Sequence, residues 1–92
     1  MTSRSVTVVN QLGLHARAAA KFVHLATRFE SNIRVMRDSK VMDGKSIMGI
    51  LLLAAARGTT IMIEATGPDE QAAIDALIQL VESGFDEASW SV

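Results

Sequence analysis

SVTVVNQLGLHARAAAKFVHLATRF, residues 5–29, changes its hydrophobic period partway, and that change decides the fold class. From Ser5 to Val9 the residues alternate, with Val6 and Val8 on one side and Ser5 and Thr7 on the other, as in a half-buried strand. Asn10 to Gly13 reads as a turn. Beyond it Ala19, Phe22, Val23 and Ala26 recur at i, i+3, i+4 and i+7, which predicts an amphipathic helix from Ala16 to Phe29. Lys21, His24 and Arg28 fall together on its other side and are expected to form a solvated stripe.

The same two periods recur outward from this unit. Ile33 and Val35 alternate with Arg34 and Met36, Asp38 and Ser39 supply turn chemistry, and Lys40 to Asp43 is again extended, which predicts a hairpin. Ser46 stands as an N-cap before Ile47, Ile50, Leu51 and Ala54, which predicts a short helix with these four facing the sheet and Gly58 closing it. Met48 and Leu52 lie off that stripe, where the alternatives are burial on a second side and exposure as a docking patch. A fourth strand is expected over Thr60 to Ala65, broken by Gly67 and Pro68. The last helix opens at Asp69 and Glu70, presents Ala73, Leu77, Leu80 and Val81, and closes at Gly84 and Phe85, followed by a ragged polar tail. Each helix has one apolar face that needs a sheet to cover, so the order strand, helix, strand, strand, helix, strand, helix implies two layers. Pattern alone does not order the strands.

Composition narrows the functional classes. The 92 residues are 49% hydrophobic and 21% charged, which suits one domain, residues 1–92, with a packed core. With no cysteine and two histidines, most ligands for a zinc or iron–sulfur site are missing, and no metal or other cofactor is expected. Nine basic residues are scattered in a chain of net charge -1, without the footprint of a nucleic-acid binder. The N-terminus lacks a signal-peptide core, and the longest apolar run, Ile50 to Ala56, is too short to span a bilayer, so a cytoplasmic location without membrane insertion is expected.

One residue stands where a helix opens. His15 ends the turn NQLGLH, next to helical N–H groups that lack intrahelical partners and carry about half a positive charge. A neutral imidazole there can attack phosphorus without a separate strong base, and Arg17, two residues on, can hold the phosphoryl oxygens. The residues alone leave a second reading open, in which His15 only caps the helix and Arg17 is a solvated charge. Ser46, by its residue type and place before Ile47, reads as the cap of the second helix.

The run Gly13-Leu14-His15-Ala16-Arg17-Ala18-Ala19 resembles the active-site signature of HPr, the histidine-containing phosphocarrier family of the bacterial phosphotransferase system. The likeness extends through Val6 to Asn10, Ala19 to Val23, Lys45 to Gly49, Ala54 to Gly58 and Glu82 to Phe85, nearly the whole chain. It implies an α+β open-faced sandwich, with a four-stranded antiparallel sheet of order 1-4-2-3 covered on one face by three helices. It also implies a monomer that takes phosphoryl from phospho-Enzyme I onto Nδ1 of His15 and passes it to an Enzyme IIA-type acceptor, a stoichiometric relay rather than an enzyme. Absence of a Walker-type Gly-x-x-x-x-Gly-Lys run agrees, since the carrier receives an already activated group.

By the same resemblance Arg17 steadies the phosphoryl group. Ser46 is a target of an HPr kinase/phosphorylase, and Ala16, Ala20, Met48, Gly49 and Leu52 form the docking surface. One departure is Ala18, where the family usually has proline; alanine keeps an N–H and leaves the opening turn less rigid. Lys45 to Gly49 is similar to sugar-system HPr, whereas Ala65 to Pro68 and Ser83 to Glu87 are similar to NPr of the nitrogen-related system, so both branches stay open. Two other classes fit less well. A regulatory module of this fold that is never phosphorylated has no need of His15 and Arg17 together, and a ligand-binding sensor lacks its polar pocket signature.

Overall fold

The computed structural model describes residues 1–90, with side chains through Glu87. Strands β1 (Thr2–Thr7), β2 (Asn32–Arg37), β3 (Lys40–Asp43) and β4 (Thr60–Thr66) and helices α1 (Ala16–Ala26), α2 (Ile47–Leu52) and α3 (Glu70–Glu82) follow in the order β1-α1-β2-β3-α2-β4-α3, and a 3-10 segment, Gly84–Trp90, comes last. The sheet is antiparallel with order β1-β4-β2-β3, an open-faced sandwich with its helices on one side. Register explains why one face is covered. Val6 stands opposite Ile61, Val35 opposite Ile63 and Ile33 opposite Ala65, all buried, while the intervening Ser5, Met62 and Arg34 are exposed. Against these pack Ala18, Ala19, Phe22, Val23 and Ala26 of α1, Ile50 of α2, and Ala73, Ile74, Leu77, Ile78 and Val81 of α3. Full burial of each large aliphatic or aromatic side chain is worth about 1.5–3 kcal/mol, so this layer is the main source of stability.

Several boundaries differ from the periodicity. Strand β1 lies over Thr2–Thr7 rather than Ser5 to Val9, because its ladder with β4 runs from Thr2 opposite Ala65 to Thr7 opposite Thr60. Val8 stays buried outside the strand, held by Val8 N–H to Thr59 C=O (2.9 Å) and Gly58 N–H to Val8 C=O (2.8 Å). Helix α1 stops at Ala26, not Phe29. Arg28 and Phe29 turn back onto the carbonyls of Leu25 and Ala26 at 3.1 and 3.2 Å, and Thr27 Oγ1 donates to His24 C=O at 2.8 Å, a tightened last turn that uses up the exposed carbonyls.

Helix α2 ends at Leu52, and Ala54 takes a left-handed φ of 51°, so the closing role expected of Gly58 falls earlier. Tertiary cations set that end: Arg37 Nη1 donates to the carbonyls of Leu53 (2.7 Å) and Ala54 (3.2 Å), and Lys40 Nζ to Leu52 C=O (3.3 Å). On this helix and its cap Ile50 and Leu53 are buried, while Ile47 and Ala54, expected toward the sheet, are exposed.

Helix α3 starts as expected at the Gly67–Pro68 break, yet Asp69 does not cap it. Its carboxylate instead accepts from Glu30 N–H (2.9 Å), Ser31 N–H (3.0 Å) and Ser31 Oγ (2.5 Å), tying the α1–β2 loop to α3. These bonds, led by the Ser31 hydroxyl, hold the Asp69 carboxyl below its ordinary value. After α3 the ragged tail gives way to structure. Gly84, Phe85 and Asp86 all have positive φ (69°, 58° and 55°), and Phe85 is fully buried. The last two residues of that expected tail lie outside the described residues.

Candidate functional site

The turn between β1 and α1 is shaped by Asn10 and Gly13. Asn10 is buried; its Nδ2 donates to Gly13 C=O at 2.7 Å, and its carbonyl accepts from Gly13 N–H at 3.2 Å. Gly13 sits at φ 67° against the loop after α2, where an added Cβ would meet the Ala55 carbonyl oxygen at 2.6 Å. Leu14 N–H then bonds that same carbonyl at 3.0 Å, so the turn is moored to α2's end before the chain enters α1.

His15 is the N-cap of α1, with extended backbone (φ -80°, ψ 177°), and its own carbonyl accepts the first helical bond, from Ala19 N–H at 2.8 Å. The amides of Ala16, Arg17 and Ala18 precede that first bond and so belong to the open end of the helix. Arg17 N–H points at Nδ1 of His15, 3.3 Å away. A ring nitrogen that accepts is the one with the lone pair, so the hydrogen-bond network assigns the proton to Nε2. On that side lies Glu87, with Oε2 3.5 Å from Nε2. The same Oε2 accepts from Asn10 Nδ2 at 2.7 Å, and Oε1 lies 3.4 Å from Leu12 N–H. The Asn10 amide foremost, then the Leu12 amide and the His15 ring, hold the Glu87 carboxyl below its ordinary value against the opposing effect of burial. Glu87 is thus an anion at neutral pH.

The arrangement offers a half-buried imidazole whose basic nitrogen faces helix amides and whose other nitrogen faces a carboxylate. An electrophile bearing negative oxygens, approaching Nδ1, meets the positive end of α1 and the exposed side of Arg17. No separate base is needed.

Other expected residues fall as follows. Ser46 is the N-cap of α2, its Oγ accepting from Gly49 N–H at 3.0 Å, so the capping role is real whatever else the hydroxyl does. Gly49 is buried, Ala20 half-buried and Ala16 exposed, whereas Met48 and Leu52 are 66% and 55% exposed. Leu12, 64% exposed in the turn beside His15, adds an apolar side chain that the helical spacing did not flag because it lies outside any periodic segment. Lys21 departs from the solvated stripe: it is half-buried, and its Nζ donates to Phe85 C=O at 3.3 Å, while His24 and Arg28 are exposed as expected. Asn10 and Glu87 were not foreseen in the site. The one by spacing was only a turn residue and the other only tail, and their meeting across 77 positions leaves no local signal.

The model of the PTS HPr component phosphorylation site matches residues 2–83 of this chain. Among curated proteins, the phosphocarrier protein HPr of Cupriavidus necator is 48% identical over 87 residues, covering 95% of this chain and 98% of its own length. The phosphocarrier protein NPr of Shewanella violacea is 44% identical over 86 residues, with 94% of each chain covered. The crystal structure of an HPr from Thermoanaerobacter tengcongensis superposes with a TM-score of 0.90 at 44% identity, covering 94% of this chain and 97% of the other.

Proposed function

This chain belongs to the HPr family of phosphotransferase-system phosphocarriers, and on that premise we propose that His15 takes a phosphoryl group from phospho-Enzyme I at Nδ1 and yields it to an Enzyme IIA-type acceptor. The observation that carries the reading is the 3.3 Å contact from Arg17 N–H to Nδ1 at the open end of α1. It supports Nδ1 as the nucleophile and α1 as the support for the arriving charge. In the transfer the Nδ1 lone pair forms the new P–N bond as the donor's P–N bond breaks. The Arg17 guanidinium, two positions on, adds charge for the three phosphoryl oxygens. Handing the group on reverses these steps, so the protein leaves the cycle unchanged and acts stoichiometrically.

Partner docking belongs to the exposed apolar side chains on α1, α2 and the turn: Ala16, Met48 and Leu52, joined by Leu12. Gly49 serves that surface through its backbone, which lets α2 start tightly under Ser46. Phosphorylation of Ser46 by an HPr kinase/phosphorylase adds close to two negative charges at this surface and weakens docking of an acidic partner. Ser46→Asp is expected to bind Enzyme I more weakly, and unchanged affinity would remove the regulatory role. The relay is set in the cytoplasm, in keeping with the absence, among the described residues, of any helix long and apolar enough to cross a membrane.

Incubation with phosphoenolpyruvate and Enzyme I, followed by mapping of acid-labile, alkali-stable phosphate, tests the proposal. Label is expected on His15 alone, lost in His15→Ala, and acquired about 10²–10³-fold more slowly in Arg17→Ala with an unchanged circular dichroism spectrum. Label persisting in His15→Ala refutes it. Running sugar-system and nitrogen-system Enzyme I side by side assigns the branch by donor preference.

A further inference from the structure

We propose that Glu87, delivered by the C-terminal 3-10 segment, is a positioning residue for the phosphoryl acceptor: it holds the Nε2–H side of His15, directs Nδ1 to the reaction and balances the ring's charge once Nδ1 is occupied. This rests on the reading of His15 as the acceptor and goes beyond it by adding a carboxylate from the far end of the chain to the site.

Two independent observations support it. The first is the grip itself. Oε2 of Glu87 lies 2.7 Å from Asn10 Nδ2 and 3.5 Å from His15 Nε2, so the carboxylate is anchored by a buried amide and set beside the ring nitrogen opposite Arg17 N–H. The second is the effort the backbone makes to bring it there. Three consecutive residues, Gly84, Phe85 and Asp86, are left-handed (φ 69°, 58°, 55°), and two of them carry a Cβ that disfavours this conformation. Strained backbone persists only where its surroundings over-determine it. Here Phe85 is fully buried as an anchor and its carbonyl accepts from Lys21 Nζ at 3.3 Å on α1, which turns the chain back toward the β1–α1 turn. Among the described residues, the Nδ1 side of the ring faces the backbone N–H of Arg17 and the Nε2 side faces the Glu87 carboxylate, while Lys21 Nζ donates to Phe85 C=O.

The electron count shows what this carboxylate does. A neutral imidazole attacks phosphorus with its Nδ1 pair; the donor's bond to phosphorus breaks and its pair leaves with the donor. The proton on Nε2 does not move, so the ring becomes an Nδ1-phosphoimidazolium with one positive charge. Glu87 is already in place to neutralise it, without reorganisation during the reaction. When the group moves on, the P–N pair returns to Nδ1 and the ring is neutral again. The same contact covers Nε2 and withholds it as a competing nucleophile.

Phosphoramidate, a small donor that needs no protein docking, tests this directly: attack by Nδ1 breaks its P–N bond and ammonia leaves. Rates and the phosphorylated nitrogen are read by phosphorus and nitrogen NMR on the full chain. Wild type is expected to be labelled at Nδ1 only. In Glu87→Gln the amide oxygen can take the Oε2 position and keep both the Asn10 and His15 contacts, giving up only the 3.4 Å contact to Leu12 and the charge. Labelling is therefore expected to remain at Nδ1 but to run about tenfold slower, for want of the countercharge beside the imidazolium. In Glu87→Ala, Nε2 is uncovered and Nε2-phosphohistidine is expected beside the Nδ1 form, a change of site that loosening of the fold alone does not produce. A Glu87→Gln rate within twofold of wild type, or Nδ1 labelling alone in Glu87→Ala, overturns the proposal. Wild type labelled by phosphoramidate but not by phospho-Enzyme I leaves the proposal standing and removes the relay reading; wild type unlabelled at His15 by either donor removes both.

Discussion

Replacing Phe85 separates packing from backbone strain in a way that ordinary core mutants do not. The side chain is fully buried in the hydrophobic core, so Phe85→Ala removes its transfer energy and leaves a cavity, a loss of about 3–5 kcal/mol. Phe85→Gly removes one carbon more and, in a helix interior, would cost about 0.5–1 kcal/mol beyond alanine. Here φ is 58° and ψ 25°, where a Cβ is penalised by about 1–2 kcal/mol that glycine escapes. Against this stands the extra freedom glycine gives the unfolded chain, about 0.4–1 kcal/mol. The balance puts the glycine variant about 0.5–1 kcal/mol above the alanine variant, an inversion of the usual order. For a domain of this size that corresponds to a Tm about 2–8 °C higher for Phe85→Gly than for Phe85→Ala, with both well below wild type. Thermal unfolding by circular dichroism, with urea melts to confirm a common slope, measures it. If alanine proves the more stable, the left-handed backbone is not carrying strain, and the turn at Phe85 is no sign that the fold holds Glu87 in place. If both variants lose under about 1 kcal/mol, Phe85 is not a member of the core.

Other outcomes can be stated briefly. Gly13→Ala is expected to destabilise by more than about 1 kcal/mol in urea melts, because φ 67° and a 2.6 Å approach to the Ala55 carbonyl oxygen both resist a Cβ; a neutral result would show that the turn shifts freely. Arg37→Met keeps the aliphatic stem but leaves the Leu53 and Ala54 carbonyls to water, for a loss of about 1.5 kcal/mol that Arg37→Lys partly restores. The Glu70 carboxyl is held at about 2, against an ordinary 4.5, first by the Met1 amino group, then by the Thr2 hydroxyl and Gly67 N–H. A depressed folded value means that its stabilisation is complete above pH 4.5 and declines as pH falls toward 2. Glu70→Gln should flatten the pH dependence of Tm over that window, and a curve parallel to wild type would contradict it.

The residues differ in how far ahead they could be read. Val6, Phe22, Val35, Ile50, Ile63 and Leu77 went to the core as their periods required, and Ser46 caps α2 and Gly84 closes α3 as local chemistry suggests. His15 stood out for the same reason: the end of one period and the start of another marks a helix N-terminus wherever the rest of the chain lies. Where expectations moved, a distant partner moved them. Ala54 left the helix, because α2 ends at Leu52 with its last carbonyls held by Arg37 and Lys40 on the preceding hairpin. Asp69 stands at the cap position of α3 but spends its carboxylate on Ser31.

By itself, then, the sequence determined the two-layer α+β class, the faces each element buries, and a histidine at the mouth of a helix. All of these follow from periods and caps that span a few residues and are set by backbone geometry. Only the tertiary structure decided what surrounds that histidine. The Asn10–Glu87 bond joins positions 77 apart, and Lys21 reaches Phe85 across 64, contacts that exist only after the sheet and helices have packed. No spacing rule encodes them, because a side chain finds a distant partner through the shape of the whole fold and not through its neighbours in the chain.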